Sequence, residues 1–266
     1  MGFESRSAQG RSGASSVRRA PARKAAPAPF LSVIVPAHNE ELRLGRGLRK
    51  IQQYLRSRRC DAEVIVVDDG STDKTVAIAQ AHAEWFPELT ILRHASNRGK
   101  GAAVRSGMAR ARGSIVIFTD ADLSAPIEEA DRLLQALADG AVVAVGSRCA
   151  AQARVECPQP AVRRLAGAVF RWLAARLVPT GVRDPQCGLK AFRRDAAHDL
   201  ARSSRVDRWA FDLELLALAR NRGWRIAEVG VRWLDDRGSR LSLLTAAPAM
   251  LFELWSIRRR CRRMEL

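Results

Sequence analysis

"SIVIFTDADLSAP", residues 114–126, decides how this chain is read. Ser114 to Phe118 is an apolar, β-branched run of strand length, and two carboxylates follow it within four residues. A strand this apolar is buried on both faces, as in parallel sheets. Side chains alternate along a strand, so Asp120 and Asp122, at i and i+2 at its end, are expected to point the same way. Two like charges on one side repel unless a cation sits between them. On spacing alone the pair is either a ligand set for a hard divalent cation or two solvated aspartates.

Runs of the same kind occur at 31–35 (LSVIV), 64–67 (VIVV), 89–92 (LTIL) and 141–145 (AVVAV), and helical periodicity fills 40–56, 73–85, 101–111 and 127–138. This alternation with short connections predicts an α/β fold, a mostly parallel central sheet with helices on both faces. Ligands of such sheets gather at the carboxyl ends of the strands. Polar residues lie there: Pro36-Ala37-His38-Asn39-Glu40 after the first run, Asp68-Asp69-Gly70-Ser71 after the second and Asp120-Ala121-Asp122 after the fourth. Ser71 or Thr72 is expected to cap a helix beginning near Asp73, leaving Asp68 and Asp69 toward the cleft. "SNRGKGAAVRSG", residues 96–107, combines glycines, a helix start and the charges of Arg98 and Lys100, which suit an anion. A glycine turn ahead of an amphipathic helix accounts for the same residues without a ligand.

With 266 residues, 47% of them apolar, the chain can bury a large core. One domain over 30–240 is expected, preceded by a basic arm (1–29) and followed by an amphipathic segment with a basic tail (241–266). The formal net charge of +17 is concentrated: +5 in residues 1–29, +8 in 148–208 and +4 in 258–266, with the rest neutral. A nucleic-acid binder would interleave aromatic and basic residues or carry a reading motif, and a chain with one tyrosine does neither, so no nucleic-acid partner is expected. Five cysteines, an odd number without a C-x-x-C pair, argue against a disulfide framework or structural zinc and for a reducing cytoplasm. The arm, rich in Ser, Ala, Arg and Pro, reads as disordered, with an organellar transit peptide as the alternative. No run reaches the roughly 20 apolar residues of a membrane-spanning helix. The nearest, residues 241–257, is interrupted by Pro248 and Glu253 and suits a surface. His38, His82, His94 and His198 show no ligand spacing.

Taken together, "VIVPAHNEE", "VIVVDDGSTDKT", "NRGKGAAVRSGMARARGSIVIFTDADLS" and "VGSR", in this order between Leu31 and Arg148, resemble glycosyltransferase family 2, with its single nucleotide-sugar-binding domain of the GT-A type. "RDPQCGLKAFRRD" (183–195) and "RWAFDLELLALARNRGWRIAEVGVRW" (208–233) resemble the members that make dolichyl-phosphate β-glucose and other polyprenyl-phosphate glycosides. The resemblance extends to about residue 240. It implies that Asp120 and Asp122 hold Mg²⁺ or Mn²⁺ on a donor diphosphate. Pro36, Ala37, Asn39 and Glu40 would surround the nucleoside, Asp68 would lie beside the base or ribose, and Lys100, with Arg98, near the donor. Asp69 would serve packing or capping. Arg148 and Gln186-Cys187-Gly188 fall to the acceptor side, and Arg163 or Arg164 could hold the acceptor phosphate. Asp122, Arg148 and Asp212 are the expected catalytic residues. Asp212 and Glu214 do not share a helix face, so one reaches the cleft, and Asp212 is the choice; Glu214 would balance nearby arginines.

The implied reaction is inverting transfer of a hexose, foremost glucose from UDP-glucose, to a polyprenyl or dolichyl phosphate. GDP-mannose-dependent mannosyl transfer and a soluble acceptor are the alternatives; a lipid phosphate is already anionic and needs no strong general base. "AVRRLAGAVFRWLAARLV", residues 161–178, then reads as a helix in a membrane interface, with Leu165, Val169, Trp172 and Leu173 along an apolar face and Arg163, Arg164, Arg171 and Arg176 elsewhere. With the "RRRCRR" tail it suits an anionic membrane surface, and peripheral attachment to a cytoplasmic face is expected. The same pattern would serve an amphipathic helix packed on the sheet.

Overall fold

The computed structural model of the chain describes residues 30–156, 161–234 and 243–264, so the basic arm and residues 235–242 lie outside the described residues. The apolar runs fold as strands where expected: β1 (Leu31–Ala37), β2 (Ala62–Asp68), β3 (Leu89–Arg93), β4 (Ile115–Phe118) and β5 (Val143–Ser147). Between them lie α1 (Leu44–Ser57), α2 (Thr75–Ala83), α3 (Lys100–Arg110) and α4 (Ala130–Ala138), the last entered through a short 3-10 turn, Ile127–Glu129. The second half adds β6 (Arg154–Val155), α5 (Ala161–Leu177), β7 (Lys190–Arg193), α6 (Arg194–Ser203), α7 (Phe211–Asn221), β8 (Ile226–Gly230), β9 (Arg232–Trp233) and α8 (Leu243–Met264).

Seven strands form one sheet in the order β3-β2-β1-β4-β7-β5-β8, and β6 pairs with β9 beside it. Six strands of the large sheet run one way; β7 alone is antiparallel, wedged between β4 and β5. The sequence pattern does not announce it, because a four-residue strand that opens with a lysine has no apolar run of its own. Its direction matters: Lys190, at its start, is registered with Phe118, the last residue of β4. The loop that precedes β7 is thereby delivered to the edge where β1, β2 and β4 end.

The central strands β1, β2 and β5, with most of β4 and β7, are buried on both faces, whereas the edge strands β3 and β8 are partly exposed. Val33, Val35, Val64 and Ile117 meet Leu48 of α1 and Leu133 of α4 on one side. Ile34, Ile65 and Phe118 meet Met108 of α3 and Leu216 of α7 on the other. Leu254 and Ile257 of α8 are buried in that second layer, so the amphipathic C-terminal segment contributes to the core. An apolar face has to be covered, and α5 and α7 cover it.

Three local expectations are corrected. Helix α1 starts at Leu44, because Asn39 has φ 55 and the Glu40 carbonyl accepts the N–H groups of Arg43 and Leu44 in a turn. At the start of α2 the side chain that accepts a backbone N–H is Asp73, whose Oδ1 takes that of Thr75 at 2.9 Å, rather than Ser71 or Thr72. Strand β4 ends at Phe118, and Asp120 and Asp122 lie in a tight turn closed by the Leu123 N–H on the Asp120 carbonyl, at 3.1 Å. Turn geometry, not strand alternation, brings the two carboxylates together.

Candidate active site

At the carboxyl edge, the ends of β1 and β2 are stitched to each other. Ala37 is paired with Asp68, and Pro36, which has no N–H to give, sits beyond the last β1 residue paired with β4. Asn39 donates its N–H to Ser71 Oγ at 3.0 Å and accepts the Thr72 N–H at 2.9 Å. Asp68 is buried, accepts the Ser71 N–H at 3.2 Å and pairs with Arg93 at 3.4 Å. Asp69 is buried as well, and neither aspartate is a free carboxylate facing a cleft. Its oxygens take the N–H groups of Arg98 and Gly99 at 3.0 and 2.7 Å and His94 Nδ1 at 2.7 Å. Asp69 therefore fixes the glycine turn ahead of α3, where Gly99 has φ 108 and an added Cβ would lie 2.3 Å from the Asp207 carbonyl oxygen. The Arg98 side chain is exposed, and α3 opens with Lys100 aimed inward.

From Lys100 a run of close charges crosses the site. Lys100 Nζ lies 2.5 Å from Asp120 Oδ1, and Lys190 Nζ lies 2.5 Å from Asp212 Oδ1 while donating to the Cys187 carbonyl at 2.7 Å. Lys190 is fully buried, 5.0 Å from the centre of the Phe118 ring. Arg43 is bidentate to Glu40 at 2.6 and 2.7 Å and reaches within 3.9 Å of Asp122. Burial alone would lower the Lys100 ammonium, but Asp120 and Asp212 outweigh it and push it up to about 12. The carboxyls of Asp122, Glu40 and Asp212 are all raised, first by burial. Asp120 adds to the shift of each, and Asp122 to that of Glu40.

Crowded carboxylates of this kind fit a hard divalent cation. Asp122 Oδ1 accepts the Ser124 N–H at 2.9 Å, which orients the group. Among the described residues no three His, Cys, Asp or Glu side chains form a complete metal cage. A metal at Asp120 and Asp122 would complete its shell with water and diphosphate oxygens, the habit of Mg²⁺.

Of the predicted site residues, Asp120, Asp122, Lys100, Glu40 and Asp212 converge. Asp212 does reach the site, and Glu214 instead accepts the N–H groups of Arg205 and Val206 and an N–H of Arg260 at 2.6 Å. Arg148, expected to act in catalysis and on the acceptor, is paired with a buried carboxylate. It makes two 2.7 Å bonds to fully buried Asp184 and stacks on Trp233, its ring centre 4.8 Å away. Its work is to hold the loop that carries Gln186, which is half-buried. Gly188 of that loop touches Asp120: an added Cβ would lie 2.0 Å from its Oδ2. Arg163 and Arg164 lie on the backbone of α5, and their side chains are outside the described residues. Sequence reasoning missed Lys190, Asp184 and Arg43; the signal for the first two was their place in the 183–195 motif.

The sequence profile of "Glycosyl transferase family 2" matches residues 32–201. The chain belongs to glycosyltransferase family 2. Within it, the chain is 37% identical over 253 residues to dolichyl-phosphate beta-glucosyltransferase of Drosophila melanogaster, spanning 88% of this chain and 77% of that one. It is 36% identical over 228 residues to the human protein of the same name, spanning 81% and 70%. Glucosyl-3-phosphoglycerate synthase of Mycobacterium tuberculosis, solved with Mn²⁺, UDP-glucose and phosphoglyceric acid, superimposes with a TM-score of 0.67 over 88% of this chain and 80% of that chain at 24% identity. The same enzyme solved with Mg²⁺ and UDP gives 0.65, over 86% and 79% at 23% identity. This likeness shows a shared GT-A type fold, as the sequence motifs imply, and no helix among the described residues is long and apolar enough to cross a membrane.

Proposed function

We propose that this family 2 glycosyltransferase transfers glucose from UDP-glucose to a dolichyl or polyprenyl phosphate, with inversion, using a divalent cation held by Asp120 and Asp122. The observation that carries the reading is the 33–37% identity, over about 88% of the chain, to two proteins named dolichyl-phosphate beta-glucosyltransferase. Support for the donor comes from the solved relative, which holds UDP-glucose with Mn²⁺ on the same fold. A cation at Asp120 and Asp122 would neutralise charge on the departing diphosphate.

The chain's own residues then have defined work. Lys100, at the amino end of α3, supplies positive charge and helix-dipole support to the donor phosphates. Asp212, held by Lys190, keeps the ammonium groups compensated. An acceptor phosphate, already anionic, does not require it as a general base. Asn39 and Glu40, tied to the 71–75 segment, shape the nucleoside side, with Asp68 beneath them.

We place the protein peripherally on the cytoplasmic face of a membrane. Val169 and Trp172 of α5 are 57% and 61% exposed, and Phe252 and Trp255 of α8 are 69% and 54% exposed. On α5 Ala174 is buried and Leu173 half-buried, so of the apolar residues expected to pack or to meet lipid Val169 and Trp172 stand outward, while the Leu165 side chain is outside the described residues. Arg176 and Arg259 lie over the two tryptophans, at 5.2 and 5.6 Å, an arrangement suited to the headgroup boundary. The free cysteines Cys60, Cys149, Cys187 and Cys261 suit a reducing compartment.

The test is to incubate the protein with Mn²⁺ or Mg²⁺, a short polyprenyl phosphate and UDP-glucose, UDP-galactose, UDP-N-acetylglucosamine or GDP-mannose singly, with product detection by mass spectrometry. A glucosyl-phosphoprenol from UDP-glucose alone, absent with Asp122→Asn, is the expected result. A mannosyl product from GDP-mannose would overturn the donor assignment. Hydrolysis of UDP-glucose with no lipid product would overturn the acceptor.

A further inference from the structure

The carboxylate expected to bind a metal already holds a cation, and that cation belongs to the chain. Lys100 Nζ sits 2.5 Å from Asp120 Oδ1, with both side chains 25% exposed. The backbone before Lys100 is pinned through Gly99 to Asp69 at 2.7 Å, and Asp120 Oδ2 is backed by Gly188 so closely that a Cβ there would lie 2.0 Å away. An ammonium on one oxygen of this carboxylate already neutralises its charge and repels a second cation brought to the same group, so Lys100 and a divalent ion compete electrostatically for Asp120.

Local charge points the same way. Glu40, Asp120, Asp122 and Asp212 face Arg43, Lys100 and Lys190, four negative charges against three positive. A divalent ion added alone would turn the cluster positive. Added together with a nucleoside diphosphate, it would not, because the diphosphate brings its own negative charge and offers Lys100 another anionic partner.

We propose that Lys100 is a resident counter-ion of Asp120 that competes with a divalent cation for this carboxylate, so that the metal binds weakly alone and tightly together with a nucleoside diphosphate. The proposal rests on the reading of Asp120 and Asp122 as metal-holding. By linkage, each ligand then raises the affinity for the other.

The experiment is a Mn²⁺ titration of the full chain, read by loss of the free-ion electron paramagnetic resonance signal, with and without UDP. Without UDP, Lys100→Met is expected to bind Mn²⁺ at least about tenfold more tightly than wild type. Lys100→Arg, which keeps the charge, should retain the weak affinity, and Asp120→Asn in the Lys100→Met background should erase the gain. Wild type is expected to gain more Mn²⁺ affinity from UDP than Lys100→Met does. If wild type binds Mn²⁺ with UDP but Lys100→Met binds the free ion no more tightly, Lys100 is not a competitor and the proposal is wrong. Absence of Mn²⁺ binding in every form, even with UDP, would remove the metal assignment and the proposal with it. Should Lys100→Met fail to fold, Lys100→Gln carries the same comparison.

Discussion

Asp122 costs the fold stability for the sake of the site. Its carboxyl is held above the ordinary range by burial and by Asp120. The sign follows: the folded state keeps the proton to higher pH than the unfolded state, so stability falls as pH rises from the unfolded value through the raised one, and the loss persists at neutral pH. Asp122→Asn keeps an oxygen for the Ser124 N–H and removes the charge. We expect its Tm, by calorimetry at pH 7 without metal, to rise by about 2–4 °C, corresponding to about 1 kcal/mol, while transfer is abolished. A lower Tm would mean that the 3.9 Å approach to Arg43 outweighs the crowding. At this scale the sequence was generous with the carboxylates, since two aspartates after an apolar run have few bland explanations. It hid Lys190, because a lysine beside apolar residues ordinarily reads as solvated, and only the antiparallel placement of β7 buries it against Asp212. For Arg148 the sequence shows a charged residue at a strand end and hides its buried partner, Asp184.

Among the elements, the loop entering β7 has the most leverage on the site. It is clamped at one end by Asp184 on Arg148 and at the other by the Cys187 carbonyl on Lys190, and between the clamps Gly188 lies against Asp120. Gly188→Ala pushes a methyl group into a carboxylate backed by Lys100. The loop or Asp120 must give way, so UDP affinity in the presence of Mn²⁺, measured by calorimetric titration, should fall at least about tenfold, the 1.4 kcal/mol that a modest shift of a charged contact costs. Unchanged affinity would show that Asp120 has room to move. The helices were legible in their existence and less so at their starts. Apolar spacing sets where α1 and α2 pack, but Glu40, Asp73 and Asn39 bond across to a neighbouring loop and delay both starts. Helix α8 was legible as amphipathic and not as core: its apolar stripe says that something covers it, and the sequence does not say what.

Across the whole molecule, acid and lipid are the two conditions to vary. Burial alone would raise the Asp184 carboxyl, but the Arg148 fork overrides it and holds it below the ordinary range. A lowered folded value means that this contribution is complete above the unfolded value, near pH 4, and is lost as pH falls through the folded one. Glu63, held low by Ser32 and Arg112 against burial, adds in the same sense. Wild-type Tm should therefore drop below about pH 4, and Asp184→Asn, less stable at pH 7, should lose less between pH 7 and pH 3. Parallel pH curves would remove Asp184 from the acid transition. For lipid, flotation with vesicles containing phosphatidylserine should recover the wild-type protein. Trp172→Ala with Phe252→Ala and Trp255→Ala should lower vesicle affinity by well over tenfold, since each buried aromatic contributes on the order of 2 kcal/mol; equal recovery would refute the membrane-facing assignment. By itself the sequence determined the alternating α/β plan, the family and the acidic pair, because strand and helix periods and a short ordered set of motifs are local properties of the chain. The tertiary structure alone decided that β7 runs backward between β4 and β5, that Lys190 and Gly188 thereby reach Asp212 and Asp120, and that Arg148 is bound to Asp184. Those depend on strand order and on contacts between residues far apart in sequence, which no local pattern encodes.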